Sequence, residues 1–135
     1  LGWALTTLID PTILDQREGE VGRIERMSSA GLVERFDYAA SLASMFYRDR
    51  DNLLELLGLW LRWWRDLLLL QEDGEKLVCN INRLDKLKEI TLRFSMKEVV
   101  KFLHEIRGTL AALDQNANPR LAMEVMMLNL PKERL

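Results

Sequence analysis

Along most of this chain apolar residues recur three and four positions apart, the spacing of one helix face, and almost nowhere do they alternate as strand residues would. The pattern predicts an all-α fold, a single bundle of five to six helices. A first helix opens at Asp10-Pro11, an N-cap and first-turn pair, and runs to about Arg26 with Leu14, Val21, Ile24 and Met27 on one side. Gly19 and Gly22 weaken its middle. Ser28-Ser29 is expected to cap a second helix carrying Leu32, Phe36, Ala39, Ala43 and Phe46.

Asp49 and Asp51 start the strongest helix, which reaches about Gln71. On a 100° wheel Glu55, Gly58, Leu59, Arg62, Arg65 and Asp66 share one polar sector. Leu54, Leu56, Leu57, Trp60, Leu61, Trp63, Trp64, Leu67 and Leu68 fill most of the rest. A helix so widely apolar is covered on several sides, so it is expected to be the central post. Glu72-Asp73-Gly74 is turn chemistry, and Leu77-Val78-Cys79 is too short to support a sheet. Leu84, Leu87, Ile90 and Leu92 suggest a modest helix. Ser95-Met96-Lys97-Glu98 matches a capping box, and opens a helix with Val99, Phe102, Leu103, Ile106, Leu110 and Leu113 inward.

Asn118 then caps a last helix with Pro119 in its first turn, and Pro131 ends the apolar run. Leu32, Phe36, Leu57, Trp64, Leu68, Phe102, Ile106 and Leu110 are expected to be mostly buried. No repeat and no Pro/Gly-rich linker divides the chain, which reads as one domain over 1–135.

Composition narrows the function classes. The 135 residues are 48% apolar and 30% charged, a globular balance. Nineteen basic and 21 acidic residues leave a formal charge of −2, against the basic excess of a dedicated nucleic-acid module, although a basic face can hide inside a neutral total. Cys79 is alone, which excludes an internal disulfide or thiolate cluster and points to a reducing, cytoplasmic location. No basic stretch precedes a short apolar run near the start, so no signal peptide is expected. The first residue is Leu1 rather than Met, and a longer parent protein is expected. The apolar run over 53–70 is long, but Glu55, Arg62, Arg65 and Asp66 argue against a membrane span.

Catalytic and cofactor chemistry finds little footing. His104 is the single histidine and lacks a positioned acid or nucleophile at recognisable spacing; an exposed or half-buried helix position is expected. No glutamate precedes it by three residues, as helical-bundle metal sites require. Cys79 lacks thiol or imidazole companions for zinc and is expected to be a small buried or edge residue. Neither phosphate-cradling glycine motif is present, so ATP binding by either route is not expected. No catalytic, cofactor or metal residue is assigned. Trp60, Trp63 and Trp64 are either core, a partner contact, or a stacking surface beside Arg62 and Arg65. Core is favoured for most of this cluster, with one face shared with a neighbour. Met123, Met126 and Met127 are either core filling or an adaptable seam between chains. Trp60, Trp63, Arg65, Met123, Met126 and Met127 are therefore the candidate partner-interface residues.

Three stretches resemble one family. Trp64-Arg65-Asp66-Leu67-Leu68-Leu69, then Asn80 after a turn, then Asn116-Ala117-Asn118-Pro119-Arg120-Leu121-Ala122-Met123-Glu124, follow the order seen in the C-terminal part of the delta-prime subunit of the bacterial DNA polymerase III clamp loader. Leu1-Gly2-Trp3-Ala4-Leu5 resembles the end of that family's lid domain, which makes 1–9 the tail of a preceding lid. The gamma/tau collar shares a similar Asn-x-Asn and Leu-x-x-Glu pattern and is the nearest confusable family. The resemblance implies a helical collar domain with no catalysis of its own, holding a five-subunit loader together through gamma/tau and delta collars in DNA replication. It implies no cofactor, no direct nucleic-acid contact and no membrane. ATP sites, the arginine finger and zinc cysteines belong to an AAA+ part not among these residues. Two other classes stay open: a regulator whose tryptophans line a small-ligand pocket, and a single-strand-binding helical adaptor.

Overall fold

Six α-helices and two 3-10 turns dominate residues 11–133, the part of the chain that the computed structural model describes. They are α1 (Pro11–Met27), α2 (Leu32–Arg48), α3 (Arg50–Gln71), α4 (Leu84–Thr91), α5 (Met96–Asp114) and α6 (Pro119–Leu128), with 3-10 turns at Glu75–Leu77 and Ile81–Arg83. No strand occurs among the described residues. The cap expected at Asp10, the side chain of Leu14 and the lid-like segment 1–9 lie outside them.

Local chemistry sets most of the boundaries. The Asp49 carboxylate accepts from the Asn52 amide at 3.2 Å and starts α3. Ser95 Oγ accepts from Glu98 N at 3.2 Å and starts α5, the forward half of the capping box. Asn118 Oδ1 accepts from Leu121 N at 3.1 Å, with Pro119 in the first turn of α6. Ser28 and Ser29 behave differently from the expectation. Their hydroxyls donate back to Glu25 O (2.9 Å) and Arg26 O (3.1 Å), closing α1 on its own orphan carbonyls. Helix α2 starts at Gly31 without a side-chain cap, and Leu32, in its first turn, is 56% exposed rather than buried.

Helices α3 and α5 end alike. Asp73 (φ 58°) and Asn116 (φ 62°) take the left-handed conformation that short polar side chains tolerate. Gly74 N and Ala117 N then reach back five residues, to Leu69 O at 2.6 Å and Ala112 O at 2.9 Å. A Cβ on Gly74 would lie 3.0 Å from Leu69 O, a tight contact that favours glycine at this turn. Asn116 and Asn118 thus end one helix and begin the next two residues later, which gives the Asn-x-Asn-Pro wording a structural job.

Helix α3 is the central post, touching α1, α2, α4 and α5, while α6 lies against α2 and α5. Trp64 meets Phe94 and Phe102 edge-on, each at a centroid distance of 5.2 Å, and Trp60 lies 6.1 Å from Phe102. Such pairs add stabilisation beyond the area they bury. Leu57, Trp64, Phe102 and Ile106 are buried as expected, whereas Phe36, Leu68 and Leu110 are half-buried.

The wheel's placement of Asp66 in the solvent sector is corrected. Asp66 is fully buried, and its carboxylate accepts from Cys79 N (2.9 Å), Asn80 N (2.9 Å) and Asn80 Nδ2 (2.7 Å). The 78–80 segment folds over the helix and supplies these donors, satisfying both partners. Asp66 and Asn80, separate stretches in the sequence, are therefore two halves of one joint. Arg83 anchors the same connection to α1 through Glu18 (3.2 Å) and Glu25 (2.9 Å).

Candidate docking surface

Five of the six candidate interface residues are interior. Trp60, Trp63, Met123, Met126 and Met127 are at most 1% exposed, enclosed by the chain's own helices. Their helical spacing marks a buried face, and the faces that bury them belong to this same domain, so none presents surface to another chain. Trp60 Nε1 donates to the Tyr38 hydroxyl at 3.1 Å, tying α3 to α2, and burial pushes the Tyr38 pKa up to about 12. Arg65 alone of the six stays at the surface.

The residues on which the resemblance was based divide between joints and surface. Trp64 and Asp66 are core, Asn116 and Asn118 are helix punctuation, and Pro119 is buried at the start of α6. Arg120 and Glu124 are one turn apart and pair at 3.2 Å on the surface. His104 is exposed, as is Cys79. Among the described residues no group of three or more His, Cys, Asp or Glu is placed to hold a metal ion, and no helix is long and apolar enough to cross a membrane.

Among several surface concavities, two lie between long helices. A cleft of about 490 Å³ between α1 and α3 is lined by Arg17, Glu20, Arg23, Glu55, Leu59 and Arg62 among others, with both signs of charge present. The second, about 220 Å³, lies between α5 and α6. Small residues form it, Gly108, Thr109 and Ala112 on α5 with Ala117 before and Ala122 on α6, together with Leu121 and Val125.

Beside that groove lie exposed apolar residues that are not among the six candidates named from the sequence. Leu121, Val125 and Leu128 are 63%, 39% and 53% exposed. At i, i+4 and i+7 they form one line along the outer face of α6, opposite the buried methionines. Helix α6 is therefore apolar on both sides, with the inner side used by this chain and the outer side unused. The wheel applied to α3 would have shown this had it been drawn for 119–128. Leu121, Val125 and Leu128 differ from exposed apolar residues such as Tyr47 and Leu92 in lying in line on one helix, beside an apolar groove.

Comparison with protein-family models, curated proteins and solved structures finds no match to this chain.

Proposed function

We propose that this chain is a helical assembly domain without catalysis of its own, the collar of a clamp-loader subunit of delta-prime type. In that role it joins gamma/tau and delta collars and holds a bacterial DNA polymerase III loader together in the cytoplasm. The observation that carries the assembly part is the outward line of Leu121, Val125 and Leu128 beside the α5–α6 groove. A wedge in a ring of unlike neighbours leaves such a face uncovered when it stands alone. The clamp-loader part rests on the motif order, supported by the joint made by Asp66 and Asn80 and the helix junction made by Asn116 and Asn118. The regulator and the single-strand adaptor both relied on available tryptophans, and Trp60, Trp63 and Trp64 are enclosed.

Size-exclusion chromatography with light scattering tests the reading, using the chain alone and mixed with purified gamma/tau and delta collars. A mixed complex at tens of micromolar is the expected result. A chain that stays apart from both collars and instead binds single-stranded DNA would overturn it.

A further inference from the structure

We infer that the exposed face of α5 binds the phosphate backbone of duplex DNA without reading its sequence. The inference goes beyond the assembly reading and uses a different surface from the outer line of α6. Every charged residue exposed between 96 and 113 is basic: Lys97, Lys101, His104 and Arg107. At 3.6 residues per turn the four share about a third of the helix circumference, and Lys97 to Arg107 spans about 15 Å of its axis. Gly108 and Ala111 continue that face and leave its C-terminal end low. Lys97, Lys101 and Arg107 make no ion pair among the described residues. Glu98 and Glu105 sit on the half-buried shoulder, where Glu105 accepts from Asn129 Nδ2 at 3.2 Å. One turn before the strip, Arg93 is neutralised by Glu89 at 3.2 Å and Glu133 at 3.9 Å. A chain of net charge −2 thus keeps an uncompensated positive row on one face.

The side chains of the strip choose among anionic partners. A protein interface centres on apolar and aromatic residues and is poor in lysine. The middle of this strip is Lys101, His104 and Arg107, and its exposed apolar residues, Met96 and Val100, lie toward one end. Single-stranded nucleic acid is held by stacking on aromatic rings. The strip carries none, and Trp60, Trp63 and Trp64 are enclosed. A straight row of cationic donors suits the evenly charged backbone of a duplex, which presents about four phosphates per strand over about 15 Å. The opposite face of α5 is locked in the core by Val99, Phe102 and Ile106, so the row is held in place before DNA arrives. Contacts of this kind fix position and carry no sequence information.

The test is fluorescence anisotropy of the 135-residue chain with a labelled 20-base-pair DNA duplex, titrated at several salt concentrations. Binding is expected at about 1–100 µM, with a log–log salt slope of about −3 for three cations on phosphates. A second duplex of unrelated sequence should bind within twofold of the first. Lys101→Ala with Arg107→Ala should weaken binding at least tenfold and flatten the slope by about two. Both residues are exposed, so the urea midpoint should stay where it is. Arg48→Ala with Lys76→Ala removes the same charge from exposed positions off the strip and should leave binding within twofold. The inference is overturned by a duplex that shows no saturable binding, or by equal losses in the two double variants, which would reduce the effect to net charge. Tighter binding of a 20-nucleotide single strand would overturn it too, by pointing to a stacking site. So would polyglutamate that displaces the labelled duplex as well as unlabelled duplex does, which would give the strip to an acidic protein.

Discussion

Helices α3 and α6 are both rich in large apolar residues, yet they use them differently. On α3 the tryptophans face neighbours on several sides, and Trp60, Trp63 and Trp64 are all enclosed by the domain. On α6 the methionines face inward against α2 and α5, and the aliphatic residues face out. Apolar circumference therefore shows how much of a helix wants cover, not which molecule provides it. For α3 one chain has enough helices to do so. Helix α6, last in order among those described, has neighbours on one side.

The interior side of this comparison breaks most visibly at Trp64. Replacing it with Ala removes the ring that meets both Phe94 and Phe102 and is expected to cost about 3–5 kcal/mol in urea denaturation. A near-neutral result would place the aromatic cluster outside the core.

Next comes Asp66→Ala, at roughly 2–4 kcal/mol. It strips the acceptor from two backbone amides and the Asn80 side chain and leaves them short of partners. Amide exchange over 78–80 should accelerate along with the loss of stability; an unchanged midpoint would mean that the loop does not depend on this carboxylate.

Tyr38 supplies a pH signature of the α2–α3 seam. A raised pKa of about 12 in the folded state means the folded chain holds the phenol proton more tightly than the unfolded one, whose pKa is about 10. That stabilisation is fully present below pH 10 and is lost as pH rises toward 12, about 2–3 kcal/mol in all. Wild type should therefore lose more stability than Tyr38→Phe between pH 10 and pH 12. Parallel curves for the two would deny the buried hydroxyl.

Among smaller effects, Asn118→Ala should cost about 1 kcal/mol by removing the cap of α6. The adjacent pair Met127 and Leu128 sharpens the contrast best. Met127→Ala is expected to cost about 2–5 kcal/mol and Leu128→Ala less than about 0.5, although the residues are neighbours and both apolar. Equal costs would erase the distinction between the two faces of α6.

Much of the fold was legible because it is written locally. Asp49, Ser95 and Asn118 cap the helices they precede, and the 3.6-residue period identified α3 as the post. What stayed hidden depends on residues distant in sequence. Asp66 looked solvent-facing because its donors come from 13 and 14 residues away, beyond any helical period. Ser28 and Ser29 sit between two helices and can serve either; position alone does not say that they close the first. The candidate interface residues Trp60, Trp63, Met123, Met126 and Met127 proved interior because helical spacing marks a buried face without saying whether the cover comes from the same chain or another.

The central claim is that the outer face of α6 serves association and not folding. Light scattering on Leu121→Ser with Leu128→Ser, mixed with the gamma/tau and delta collars, tests it most directly. The account predicts a chain with an essentially unchanged urea midpoint that no longer enters the mixed complex. A double variant that still enters it as wild type does would contradict the claim.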